Sequence, residues 1–266
     1  MTLPHGARAI ALTIAGSDSG GGAGIQADLK TFARYGVFGT SVITAITAQN
    51  TTGVHAWERV SPALVRAQID AVADDLRPAV IKSGMLGDGE VVRAVAGGIV
   101  QHGLRPYVLD PVMAATSGDP LLTPETIAAI VAELMPLAAL VTPNLDEVAL
   151  LLGEPVTDVA GMERAARRLV ADFGAQAALV KGGHLQGDDL VDVFYDGRDL
   201  RRFAHARIIT TSTHGTGCTL SAAIVASLAL HRSLAASVED GLAYVRRAIA
   251  SAPGLGAGHG PLNHFA

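Results

Sequence analysis

Apolar positions along this chain fall into two alternating patterns. Short, nearly continuous runs of Ala, Val, Ile and Leu cover residues 9–15, 41–47, 79–83, 106–110, 138–142 and 177–181. Runs of this length, with few polar interruptions, predict strands covered on both faces. Between them lie longer amphipathic stretches with legible starts. Ser61-Pro62 supplies a cap and a first-turn proline for a helix over 63–76. Asp88 caps 89–102, Thr123-Pro124 does the same for 125–135, and Asp158 opens 159–173. This βαβα rhythm predicts an α/β fold: a mostly parallel central sheet with helices on both faces. Near residue 185 the rhythm changes. Runs at 190–195 and 202–208 flank Asp196-Gly197, a turn signal that predicts a late β-hairpin. Two more helices are expected over 217–231 and 234–251. No repeat or linker interrupts the pattern, so residues 1–266 are expected to form a single domain. The glycine-rich tail, 253–266, predicts a disordered end; the alternative is a loop folded back over a site.

Composition narrows the function classes. Of 266 residues, 49% are apolar but only 4% aromatic, so the core must be built from Ala, Val, Leu and Ile. The net charge of −5, with no basic run interleaved with aromatics, argues against a nucleic-acid partner. The single Cys218 cannot form an intramolecular disulfide and points to a reducing compartment, the cytoplasm. The start Met1-Thr2-Leu3-Pro4-His5 shows no signal-peptide pattern, and no run reaches the ~18 apolar residues of a membrane span. The nine histidines show no zinc-binding spacing.

The candidate chemistry gathers where strands end. In open α/β sheets ligands bind beyond the carboxyl ends of the strands. Those ends here carry Gly16-Ser17-Asp18, Gln49-Asn50, Lys82-Ser83-Gly84-Met85, Asp110-Pro111-Val112-Met113, Thr142-Pro143-Asn144 and Lys181-Gly182-Gly183. The turn His214-Gly215-Thr216-Gly217-Cys218 precedes a long Ala/Leu helix. Its glycines let backbone N–H groups converge at the positive end of the helix dipole, a nest for a phosphoryl group; a mere sharp turn is the alternative. Gly22-Ala23-Gly24-Ile25-Gln26-Ala27 fits a dinucleotide fingerprint, which would make the chain an NAD-dependent oxidoreductase. Against that, Gln49-Asn50 stands where the ribose-binding acid belongs. Gln49 pairs an amide donor with an acceptor, matching an aminopyrimidine edge, or is simply solvated. Asp28 could face the same pocket or serve the helix dipole. Asp110 and Glu147 are candidate outer ligands of Mg²⁺, and Asn144 and Glu147 stand at i, i+3. Lys181 could neutralise phosphate; Lys82 could do likewise or lie on the surface.

Taken in order, seven motifs resemble the hydroxymethylpyrimidine/phosphomethylpyrimidine kinases of thiamine synthesis, within the ribokinase-like superfamily. They are the stretch from Ala15 to Asp28, Ala45-Ile46-Thr47-Ala48-Gln49-Asn50-Thr51, Lys82-Ser83-Gly84-Met85, Asp110-Pro111-Val112-Met113, Thr142-Pro143-Asn144-x-x-Glu147, Lys181-Gly182-Gly183-His184 and the stretch from His214 to Ser221. The resemblance implies two successive ATP-dependent phosphorylations, of 4-amino-5-hydroxymethyl-2-methylpyrimidine and then of its monophosphate. It implies that Gln49 holds the ring, with Gly16, Asp28, Met85 and Val112 around it. Gly215, Thr216, Gly217 and Cys218 form the anion hole, while Lys181, Asn144, Glu147 and Asp110 serve ATP and Mg²⁺. A homodimer is also implied. Sugar kinases of this fold carry Asp as base where this chain has Cys218. A thiol at a helix start can have a lowered pKa and act as base, so Cys218→Ser is expected to impair the first step more than the second. The alternatives are a pyridoxal/pyridoxine kinase, possibly one of dual specificity, an oxidoreductase, or a non-catalytic ligand sensor.

Overall fold

The computed structural model describes residues 9–113, 122–183 and 189–266, Asp189 by its backbone alone. The first residues, read above for a signal peptide, and His184 of the lysine-glycine motif lie outside the described residues. Among the described residues there are nine strands, β1 (Ile10–Ser17), β2 (Phe38–Asn50), β3 (Gly53–Arg59), β4 (Val80–Ser83), β5 (Tyr107–Leu109), β6 (Leu140–Val141), β7 (Ala178–Val180), β8 (Asp189–Tyr195) and β9 (Leu200–Ala206). They form one sheet in the order β3-β2-β1-β4-β5-β6-β7-β8-β9. The six strands from β2 to β7 pair in parallel, while β3 at one edge and the β8–β9 hairpin at the other are antiparallel.

Among the described residues, eight α-helices cover the sheet: α1 (Gly24–Arg34), α2 (Pro62–Asp75), α3 (Gly89–His102), α4 (Pro124–Ala129), α5 (Leu145–Leu152), α6 (Val159–Ala171), α7 (Thr216–Ala229) and α8 (Leu234–Ala250). Strand residues alternate between two cores, as a period of two requires. Leu12, Ile14, Ile81, Tyr107, Leu109 and Val141 pack with Val65, Ile69, Val95, Ile99 and Leu169 of α2, α3 and α6. Ala11, Val80, Val108, Leu140 and Leu179 pack with Phe32, Ile224, Val238 and Tyr244 of α1, α7 and α8. α7 is buried nearly all round, from Thr219 to Ala229 except Leu228. Each large apolar side chain hidden there contributes roughly 1.5–3 kcal/mol, which holds the start of this helix in place.

The expected caps are present. Ser61, Asp88, Thr123 and Asp158 each accept a hydrogen bond from a first-turn N–H group. Two elements differ from expectation. β3 does not stand out in the sequence because none of its residues is buried, so no face imposes alternation. The helix expected over 125–135 runs as α4, then a wider π turn over Ile130–Leu134, then a 3₁₀ turn over Met135–Leu137. Pro136 has no N–H to donate and ends it.

The tail corrects the expectation of a disordered end. His259 N–H donates to Thr51 O (2.8 Å), His214 bridges Pro261 in parallel, and Asn263 N–H donates to Ala248 O (3.0 Å). A Cβ on Gly258 would meet Thr51 O at 2.1 Å. The tail is glycine-rich because backbone must lie on backbone, not because it is mobile. Hydrogen exchange checks this: the His259 and Asn263 amides should exchange at least about tenfold more slowly than that of exposed Leu255, whereas a disordered tail would give all three free-chain rates.

Candidate active site

The chain leaves β1 for β2 on one side and later returns to β4 on the other. Such a reversal opens a crevice at the carboxyl ends of the strands. A cavity of about 820 Å³ lies there. Gly16, Gln49, Trp57, Met85 and Val112 line it, as do Leu190, Ile208, Leu242, Val245 and Ile249 of the hairpin and α8. The Gly215–Cys218 turn forms another part of the wall.

Gly215 adopts φ +79° before α7, and a Cβ there would sit 1.9 Å from Gly22 O. Only glycine meets both demands. Thr219 N–H donates back to Gly215 O, and Thr216 N–H reaches Thr213 O. Gly217 and Cys218, as first-turn residues, have N–H groups with no acceptor inside the helix. The turn lies against charge: a Cβ on Gly217 would be 3.2 Å from Lys181 Nζ and 3.6 Å from Asp110 Oδ2.

Asp110 is almost wholly buried and accepts from Lys181 Nζ (3.2 Å), Thr142 Oγ1 (3.1 Å) and Ser221 Oγ (3.3 Å). Burial pushes its carboxyl up, but Lys181 and Lys82 outweigh this and hold it below the ordinary range. Lys181 Nζ also lies 3.9 Å from Glu147 Oε2. Glu147 and Asn144 form a reciprocal cap on α5: Asn144 N–H donates to Glu147 Oε2 (2.7 Å) and Glu147 N–H to Asn144 Oδ1 (2.9 Å). Burial, with Asp110 adding to it, pushes Glu147 up to about 7 against the pull of Lys181.

Below this lies a second pair. Lys82 and Asp28 are fully buried, joined at 2.8 Å, and Thr13 Oγ1 donates to the other Asp28 oxygen at 2.6 Å. Lys82 Nζ also reaches Cys218 O at 3.5 Å. Burial works to lower Lys82, yet Asp28, Cys218 and Asp110 keep it above its ordinary value. Asp28 therefore does not line the ring site as the resemblance implies. It neutralises a lysine beneath the turn, and Lys82 is neither on the surface nor on the cavity wall.

Cys218 is the second correction. It lines the cavity, and the helix start favours its thiolate. Burial nevertheless pushes the thiol up to about 12, with Asp28 and Asp110 adding to this and Lys82 opposing it. Two carboxylates and desolvation outweigh one lysine and the dipole, so the thiol stays protonated at neutral pH.

Gly16, Gln49, Met85 and Val112 do line the cavity, as do Gly215, Thr216, Gly217, Lys181, Asn144, Asp110 and Glu147. The fingerprint glycines have other work: a Cβ on Gly22 would strike His214 Cδ2 at 2.6 Å, and one on Gly24 would strike Gly16 O at 2.3 Å. Sequence reasoning missed Trp57 and the apolar face of Leu242, Val245 and Ile249. The 242/245/249 spacing was visible, but any core-facing helix shows it. It placed Asp18 at a strand end without a role; Asp18 accepts from Gly20, Gly22 and Ala23 N–H and from His214.

Comparison with known proteins gives this geometry a class. The chain superimposes on an ADP complex of Bacillus subtilis pyridoxal kinase with a TM-score of 0.91 and 36% identity, covering 98% of each chain. The fold is ribokinase-like and the chain is a kinase. A family model described as phosphomethylpyrimidine kinase matches residues 18–263. A Rhizobium meliloti protein named hydroxymethylpyrimidine/phosphomethylpyrimidine kinase is 55% identical, covering 97% of each chain. A Bacillus subtilis protein of the same name is 46% identical, covering 96% of this chain and 94% of its own. The chain belongs to the phosphomethylpyrimidine kinase family, which sets aside the oxidoreductase reading.

The raised Glu147 carboxyl has a defined effect on stability. A carboxyl shifted from 4.5 to about 7 favours the folded state fully below about 4.5, and that contribution is lost as pH rises toward 7. Asp192, buried and pushed up to about 6, acts with the same sign, whereas His264, pushed down to about 4 by burial, acts against both, since it adds stability as pH rises from about 4 to 6.5. The Glu147 contribution is therefore read as a difference: in urea denaturation of the ligand-free protein, the wild type should lose stability relative to Glu147→Gln, which keeps the cap, as pH rises from about 4.5 to 7.

Proposed function

We propose that this kinase transfers the γ-phosphoryl group of ATP to the hydroxymethyl oxygen of 4-amino-5-hydroxymethyl-2-methylpyrimidine, and then a second one to the phosphate of the product. Both steps serve thiamine synthesis. The observation that carries this reading is the Gln49 amide on the cavity wall, in contact with His214, the residue that leads into the anion-holding turn. An amide offers a donor beside an acceptor, which is what an amino group next to a ring nitrogen requires. The relatives agree: identity is 46% to the Bacillus subtilis pyrimidine kinase and 36% to the pyridoxal kinase of the same organism.

The roles follow from charge and position. The Gly217 and Cys218 N–H groups and the α7 dipole hold the transferring group where negative charge spreads. Lys181 adds a point charge beside it. The apolar face of Leu242, Val245 and Ile249 suits a nucleotide base, and Asn144 reaches the same cavity. Among the described residues, no three His, Cys, Asp or Glu groups stand close enough to cage a metal. Magnesium needs no cage, because it keeps water and takes one or two carboxylates besides phosphate oxygens. Asp110 and Glu147 fit that demand and would hold it through water. When bound, the ion neutralises charge on the β- and γ-phosphates.

A protonated Cys218 removes the ground for expecting a thiolate base. In the first step the alcohol contributes little bonding to a loose transition state, so its proton leaves late, to the new phosphate or to solvent. In the second step the monoester, with a second pKa near ~6, is already mostly dianionic.

ADP release tests the reading, with the hydroxymethylpyrimidine, its monophosphate, pyridoxal and ribose assayed in parallel. The first two should turn over, and pyridoxal with a lower kcat/KM. No turnover of the pyrimidines, or a preference for pyridoxal, overturns the reading. In the same assay Cys218→Ser should change both steps by a similar factor, within about threefold. A loss of ~10² or more confined to the first step would restore the thiol as a general base.

A further inference from the structure

We infer that His214, oriented by Asp18, fixes which end of the Gln49 amide points toward the turn, and so sets the register in which the pyrimidine ring lies. This deepens the reading of Gln49 as the ring-binding residue and rests on it.

The argument is one of matching donors with acceptors. Asp18 is buried, and its carboxylate takes N–H bonds from Gly20 (2.8 Å), Gly22 (3.0 Å) and Ala23 (2.8 Å). Burial works to raise it, but the bond from His214 and those N–H groups hold it below the ordinary carboxylate range. It is therefore an acceptor only. His214 Nε2 lies 2.8 Å from Asp18 Oδ2, so that nitrogen carries its hydrogen and donates. One end of the Gln49 amide lies 3.4 Å from the same Nε2, and the other end lies 3.3 Å from Thr47 Oγ1. The Thr47 hydroxyl gives its one hydrogen to Ser17 O at 2.9 Å, so toward Gln49 it can only accept.

With Nε2 of Gln49 toward His214, two donors would oppose each other and two acceptors would meet at Thr47. A half-turn of the amide relieves both conflicts: Nε2 then donates to Thr47, and Oε1 meets the positive N–H edge of His214, taking the weaker arm of a hydrogen that goes chiefly to Asp18, so the network decides between the two positions. Oε1 then faces His214 and Nε2 faces Thr47. His214 directly precedes Gly215, so the acceptor end lies toward the turn and the donor end away from it.

The ring must match. In the aminopyrimidine the amino group stands on the carbon next to the one bearing the hydroxymethyl arm, and the ring nitrogen is one atom further. Amino group on Oε1 and ring nitrogen on Nε2 bring the hydroxymethyl oxygen toward the turn. The reversed amide would suit a ring with a carbonyl in place of the amine and N–H in place of the bare nitrogen. His214 is thus a positioning residue that selects the amino ring over the oxo ring.

The measurement is the ratio of kcat/KM for 4-amino-5-hydroxymethyl-2-methylpyrimidine to that for its 4-oxo counterpart, in the full-length protein. Sites that hydrogen-bond their substrate discriminate by up to ~10⁴–10⁵, so His214→Leu, which frees the amide to turn, should narrow the ratio at least about tenfold. His214→Gln restores an N–H at a similar reach and should keep the preference. A His214→Leu variant that loses activity on both rings by one factor, with the ratio intact, overturns the inference; so does a His214→Gln variant that narrows the ratio as much as His214→Leu. If His214→Leu does not fold, Thr47→Val reads the other end of the amide. It should narrow the ratio too, and an unchanged ratio there overturns the inference. Failure of the wild type to phosphorylate the amino ring at all would instead overturn the reading of Gln49 on which the inference rests.

Discussion

Two lysines and three carboxylates lie beneath the start of α7, where a protein of this size ordinarily keeps hydrocarbon. Lys82 pairs with Asp28, and Lys181 spans Asp110 and Glu147. Unpaired, a buried charge of this kind costs several kcal/mol, so none of the five can be moved without consequence for the rest. The pairing also reaches upward. Lys82 holds the Cys218 carbonyl, and Ser221 on the next turn of α7 donates to Asp110. The first turn of the helix is therefore anchored by charge below, which leaves its N–H groups facing the cavity.

The rest of the fold serves that arrangement. α7 is apolar on nearly every side because it lies between α1, α8 and the sheet, and so its position is over-determined. The carboxyl ends of β1, β4, β5, β6 and β7 bring Gly16, Met85, Asp110, Asn144 and Lys181 to one rim. Each arrives on or just after a hydrogen-bonded strand, which fixes it more firmly than a long loop could. The first glycine loop and the last then meet through Asp18 and His214, residues nearly two hundred positions apart in the chain.

Much of this was legible in the sequence, for physical reasons. Parallel strands buried on both faces must be continuously apolar, and helix starts must satisfy their N–H groups, so the run at 9–15 or Asp88 announce themselves. What was not legible depended on partners. β3 has no buried face. Asp28 looks like any first-helix acid until Lys82 is seen against it, and Lys82 looks like a surface lysine until it is seen to be buried. The thiol of Cys218 was misread because a helix start is a local feature, whereas the two carboxylates that outweigh it arrive from α1 and β5. The glycine tail was misread because the same residue serves both freedom and close approach, and only the structure shows Thr51 beneath it.

That tail has a consequence for synthesis. His214 N–H donates to Gly260 O, His214 bridges Pro261, and the buried His264 ring lies 3.2 Å from Thr219 Oγ1 on the first turn of α7. Every described strand of the sheet precedes these residues in the chain. A ribosome therefore adds the whole sheet before it adds the residues that brace the turn that holds phosphate. A nascent chain of this kinase thus has the sequence of its scaffold in hand before it can complete its chemistry.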